Sequence, residues 1–202
     1  MPTPDTTGQK FYTQTVISND TTTNVTLAIG ALGEIYITGA IPSSNTGSTS
    51  YEYAYVYGRV YNSTDGWITG NAYNQQSLYS AGGVPTSYNN VTTYWPYVAV
   101  LNSHVTTDNH QWGVTRLRYQ NINAGDMSWI VEEFASANDT NTTGSGLSNV
   151  YGDLDSYPPY GWIQKCAGSV QGTAQQTHLY LVVSGQGATN FANGTRFDQY
   201  YW

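Results

Sequence analysis

The sequence predicts an all-β chain folded as an antiparallel β-sandwich of jelly-roll type, on three observations. Apolar and polar residues alternate with a period of two along most of the chain, the pattern of half-buried strands. Aromatic residues make up 14% of 202 residues, 19 of them Tyr, and rings suit a pleated, half-buried surface. Clusters of Gly, Asn, Ser and Thr separate the alternating runs and read as turns.

The elements follow in chain order. Residues 1–10 carry Pro2, Pro4 and Gly8 without periodicity and read as an extended arm, able to reach about 33 Å. Val25, Leu27 and Ile29 alternate with Asn24, Thr26 and Ala28, and Ile35 and Ile37 follow a Gly30–Gly33 turn, which suggests a short hairpin. The clearest strand sets Tyr51, Tyr53, Tyr55 and Tyr57 on one face and Ala54, Val56 and Val60 on the other. Further strands are expected at residues 91–101, 112–120, 127–134, 162–170, 178–184 and 195–202, with the longest loop at 137–160. Residues 129–134 could form a helical turn, but their β-branched content favours a strand. Eight to ten strands spaced by turns give a sandwich, and residues 11–202 read as one domain. No fixed-period repeat points to a propeller or solenoid.

Composition narrows the function. Only 9% of residues are charged, against about 25% in an average soluble domain, so solubility rests on neutral polar groups. A net charge of −7 with six Lys and Arg argues against nucleic acid and against anionic membrane surfaces. No run of about 18 apolar residues could span a bilayer as a helix. Cys166 is the only cysteine, which excludes an internal disulfide. The start, Met1-Pro-Thr-Pro-Asp5, has neither the basic nor the apolar region of a secretory leader, so synthesis in a reducing cytosol is expected. That also leaves seven Asn-x-Ser/Thr sites, among them Asn19 and Asn193, without the enzyme that would glycosylate them.

The chemistry-bearing residues do not assemble into a known catalytic pattern. His104, His110 and His178 show no zinc spacing, and Cys166 with His178 forms a conceivable dyad without any group to activate the thiol. Glu132 and Glu133 are strand neighbours pointing to opposite faces, so they cannot be the carboxylate pair of a glycosidase. Asp153 and Asp155 could share a face and hold Ca²⁺ or complete a hydrolytic site with Glu34, Glu52 or Asp126, although loop carboxylates are more often simply solvated. No enzyme, cofactor or metal is expected.

Aromatic residues are the stronger signal. Tyr51, Tyr53, Tyr55 and Tyr57 would form a partly buried sheet face suited to a subunit contact, since four fully buried hydroxyls would each need a partner. Trp95 and Tyr97, and Tyr160 and Trp162 beyond the long loop, could stack on sugar rings or anchor loops to the sandwich. Tyr201 and Trp202 make the C-terminus a docked last strand or a plug in a neighbouring subunit.

With its short arm, its Thr/Asn/Gly/Tyr-rich strands such as residues 51–61, its scarcity of Lys and its aromatic C-terminus, the chain resembles the surface domains of tailed-phage virions: capsid decoration (cement) proteins and tail-fibre modules. The resemblance lies in style and carries no signature motif, so no functional residue transfers. It implies a virion location, a homo-oligomer with a trimer favoured, and a major capsid or tail protein as partner. The first expectation is a non-enzymatic decoration protein. A receptor-binding or lectin module for host-surface glycans is the alternative, and a polysaccharide hydrolase the lesser one.

Overall fold

The computed structural model describes residues 11–42, 52–69, 72–81, 84–92, 95–103, 113–121, 125–136, 161–186 and 189–202. Thirteen strands and no helix occur among them. The first seven are β1 (Phe11–Val16), β2 (Asn24–Ala28), β3 (Leu32–Gly39), β4 (Glu52–Asn62), β5 (Gly66–Trp67), β6 (Tyr73–Ala81) and β7 (Val84–Thr92). The rest are β8 (Trp95–Ser103), β9 (Gly113–Gln120), β10 (Asp126–Ser136), β11 (Gly161–Gln171), β12 (His178–Gln186) and β13 (Arg196–Tyr201).

They form two antiparallel sheets. The larger has the order β1-β13-β3-β9-β10-β11-β6-β7, and the smaller runs β2-β12-β4 with β5 and β8 pairing with opposite ends of β4. The chain passes repeatedly from one sheet to the other, and the two sheets make a β-sandwich. A jelly roll has eight strands in all, whereas here eight lie in one sheet.

Period-two alternation explains the packing. The large sheet turns Ile35, Ile37, Leu117, Met127, Trp129, Val131 and Phe197 inward, and the small sheet answers with Val25, Leu27, Val56, Leu101, Leu179 and Leu181. These side chains form one buried cluster. Two glycines let large rings lie flat against the backbone: a Cβ at Gly33 would sit 2.3 Å from the Tyr119 hydroxyl, and one at Gly168 2.3 Å from the Trp129 ring. One end of the sandwich is closed by polar groups. Asn121 donates to the carbonyls of Gly30 and Gln176, and Asp65 accepts from Asn62, from the Thr173 amide and from its hydroxyl.

Several sequence expectations change. Residues 24–39 are not a hairpin: β2 belongs to the small sheet and β3 to the large, so the Gly30–Gly33 segment is a corner between sheets. Both runs are apolar on one face, and they bury those faces in the shared core from opposite sides instead of pairing edge to edge. Residues 91–101 split into the end of β7 and most of β8, in different sheets. Residues 129–134 are strand throughout, as their β-branched content predicts. The arm at 1–10 and the loop at 137–160 lie outside the described residues.

Candidate functional site

The outer face of the small sheet is the candidate site. Because β4 sends Ala54, Val56 and Val60 inward, it presents Tyr55, Tyr57, Arg59 and Tyr61 outward. β12 likewise buries Leu179, Leu181 and Val183 and presents His178, Tyr180, Val182 and Ser184. Antiparallel register places Tyr61 opposite His178, Arg59 opposite Tyr180, Tyr57 opposite Val182 and Tyr55 opposite Ser184. The turn at 63–65, closed by Gly66 at φ 72°, then folds Trp67 back beside Tyr61.

Ring contacts lock this surface. Tyr61 lies 5.1 Å from Trp67 and 5.8 Å from the His178 ring, and Trp67 meets Tyr180 edge-on at 5.5 Å. The Arg59 guanidinium carbon sits 5.6 Å from both the Trp67 and Tyr180 ring centroids, so two cation–π contacts hold the planar cation in place. Tyr55 and Tyr57 extend the surface edge to face at 6.0 Å. Burial raises the Tyr57 pKa above its ordinary value. Beside Arg59, a depression of about 410 Å³ is lined by Tyr57, Arg59, Tyr180, Val182 and Ser184. Its rings supply flat apolar contact, and the Tyr57 hydroxyl and Ser184 carry hydrogen-bonding groups.

The opposite outer face is built differently. On the large sheet, Arg116 pairs with Glu34 at 2.9 Å, and Glu132 collects Arg116, Arg118 and Lys165 at 3.8, 3.5 and 3.2 Å. Arg196 pairs with Asp198 at 2.6 Å, and Asp198 also accepts from the Tyr12 hydroxyl and the Gln14 amide. Burial raises the Asp198 pKa, but these hydrogen bonds and Arg196 outweigh it, so the net shift is downward. The hydrogen bond to Glu34 raises the Arg116 pKa further. Arg116, Arg118, Lys165 and Arg196 on this face are therefore each paired with a carboxylate.

Of the expected interface residues, Tyr55 and Tyr57 lie half-buried on the outer face of β4, Tyr53 is on the same strand with its side chain outside the described residues, and Tyr51 lies outside them altogether. Tyr201 stacks on Phe11 at 5.5 Å within the same chain, and the Trp202 backbone pairs with Leu32, so the C-terminus is a docked strand between β1 and β3. Trp95 and Tyr97 belong to β8 of the small sheet and Trp162 to β11 of the large one; their side chains, and all of Tyr160, lie outside the described residues. The conceivable Cys166–His178 dyad does not form: Cys166 is buried facing the core from the large sheet, whereas His178 faces away from the core on the small one. Glu34 and Glu132 are engaged by guanidinium groups. Asp153 and Asp155 lie outside the described residues, and no group of three metal-ligating side chains occurs within them.

Sequence reading missed Arg59, Tyr61, Trp67 and Tyr180. The two-residue period that picked out Tyr51 to Tyr57 continues unbroken to Arg59 and Tyr61, and the Asn62-Ser-Thr-Asp-Gly66 turn marks where Trp67 returns. Comparison with protein-family models and with curated proteins finds no match.

Proposed function

We propose that this protein is a non-enzymatic structural component of a virus-particle surface, a capsid decoration protein that acts by contact. The observation that carries the reading is the asymmetry of the two outer faces. The large sheet's outer face carries a network of charged pairs, while the small sheet's outer face packs Tyr, Trp and Arg side chains against one another, the residue types that dominate binding hot spots. A chain with few charges and a ring-rich outer face is suited to adhesion. The test is electron microscopy of purified particles labelled with an antibody to this chain. Label on the capsid supports the reading. Particles that stay unlabelled while the chain remains free in the lysate refute it.

The depression beside Arg59 favours a second reading, a module that binds host-surface glycans. Its volume falls within the range of about 300–1,000 Å³ typical of small-molecule sites, and it combines stacking rings with hydrogen-bonding groups. Glycan-array binding that disappears in Trp67→Ala with the fold intact supports this alternative, and a blank array excludes it.

A further inference from the structure

The large sheet ends at β1, whose only partner among the described residues is β13. We infer that this edge is a self-association surface, on which β1 of a second copy pairs antiparallel about a two-fold axis through Gln14. The inference goes beyond the reading above and does not depend on it.

Hydrogen-bond phase fixes the register. One residue past β1, the Ile17 N–H donates to the Thr195 carbonyl at 2.8 Å. Backbone groups alternate sides along an antiparallel strand. Those of Phe11, Thr13 and Thr15 therefore point toward β13, and those of Tyr12, Gln14 and Val16 toward the open side. A second β1 satisfies that open row when Gln14 lies opposite Gln14 and Tyr12 opposite Val16. In this register the outward side chains of both copies share one face, as sheet continuation demands. Tyr12 and Val16 are 53% and 50% exposed, and the dimer sets them together twice as an aromatic–β-branched pair across strands. Tyr12 and Gln14 both bond to Asp198, so the two side chains are held toward β13.

Edges left open in soluble proteins are normally blunted by charge, Pro, a bulge or a cover. Phe-Tyr-Thr-Gln-Thr-Val carries no charge and no Pro, and its ladder to β13 is regular over all six residues. Other edges are handled differently. β7 at the far side of the large sheet contains Pro85. β2 at the rim of the small sheet has its Ala28 carbonyl taken by the Gln199 side chain and the neighbouring Thr22 carbonyl by the Phe191 N–H.

The full chain is tested by analytical ultracentrifugation across a concentration series, alongside Gln14→Pro and Gln14→Cys. Pro at position 14 removes an N–H that faces the open side, so it leaves the β1–β13 ladder intact but deletes both central bonds of the dimer. Dimerisation should weaken about tenfold or more. Directly opposed residues of a hydrogen-bonded pair have Cα atoms about 5.5 Å apart, within disulfide reach. Gln14→Cys should therefore cross-link to itself under oxidation, whereas Tyr12→Cys alone should not and should cross-link only when mixed with Val16→Cys. The single native thiol, Cys166, is buried and does not interfere. A wild-type chain that stays monomeric at about 100 µM, well above a typical weak dissociation constant, overturns the inference. So does an oligomer unchanged by Gln14→Pro, or a monomer that dimerises only after residues 1–10 are removed.

Discussion

Tyr73→Phe is the sharpest test of how the two sheets are joined. Tyr73 opens β6 in the large sheet and is fully buried. Its hydroxyl accepts from the Val60 N–H at 3.1 Å and donates to the Ile68 carbonyl at 3.0 Å, and both partners flank the β4–β5 hairpin of the small sheet. The Ile68 N–H already occupies the Val60 carbonyl at 2.9 Å, so the Tyr73 hydroxyl stands in for the next rung of a ladder that β5 is too short to provide. Removing one oxygen deletes two hydrogen bonds, each worth about 1 kcal/mol net, and leaves the Val60 N–H buried without that acceptor. The expected loss is about 2–3 kcal/mol, or roughly 5–10 °C in melting temperature for a chain of this length. Urea denaturation followed by Trp fluorescence measures it. Tyr61→Phe is the control, because Tyr61 contributes ring contacts with Trp67 and His178 and the substitution keeps them; it should shift stability by less than about 0.5 kcal/mol. Equal, small effects of the two substitutions would refute the coupling argument.

Three further outcomes are expected. Gly168→Ala should cost about 1–3 kcal/mol in the same assay, because the new Cβ would lie 2.3 Å from the Trp129 ring and 2.6 Å from the Asn74 carbonyl, and the latter is backbone that cannot swing away. Glu132→Gln should destabilise by about 1 kcal/mol at low salt and less at 1 M, since it leaves Arg116, Arg118 and Lys165 facing one another without their shared carboxylate. The folded-state pKa of Asp198 is depressed, so its stabilising contribution is present above the unfolded value of about 3.9 and is lost as pH falls through the lower folded value. Urea midpoints measured between pH 2 and 7 should drop below pH 4, and Asp198→Asn should flatten that drop while lowering stability at neutral pH.

What could be read from the sequence was the part governed by local alternation. Val25 and Leu27, Ile35 and Ile37, Val56 and Val60, and Leu179 and Leu181 announce their strands because each pair is buried on one face only. The strands β6 and β7 were hidden because Tyr-Asn-Gln-Gln-Ser-Leu and Val-Pro-Thr-Ser-Tyr-Asn-Asn lack that contrast. On β6, Gln75 takes an inward position and Leu78 is 51% exposed, so hydrophobicity and direction part company. β6 exists because β11 offers it a partner edge over eight consecutive residues, and β7 because β6 then offers the next edge; the first is a long-range fact with no local signature. Sheet membership was hidden for the same reason, which is why β2 and β3 resembled a hairpin. At the site, the Tyr row was visible while Tyr180 was not, because its place opposite Arg59 depends on β12 pairing with β4 across more than a hundred residues of sequence.

The β1 edge and the aromatic face are separate features, yet their geometry connects them. A two-fold axis that continues an antiparallel sheet runs normal to that sheet, so it preserves which way each face points. Pairing through β1 would therefore set the two small sheets side by side, with both ring-rich faces directed the same way and toward one surface. On the proposed reading such a pair would engage a lattice or a glycan layer through two contacts, the second made at the high effective concentration set by the first. Gln14→Pro lies on the opposite sheet from Arg59 and Trp67, so it leaves the aromatic face untouched. It should nevertheless weaken attachment to immobilised particles by about 10²-fold, whereas Trp67→Ala should weaken it in both the paired and the unpaired state. Attachment that depends on Trp67 but is indifferent to position 14 would retain the face and discard the pairing. Attachment indifferent to both would mean that the surface chemistry of the small sheet serves some other contact.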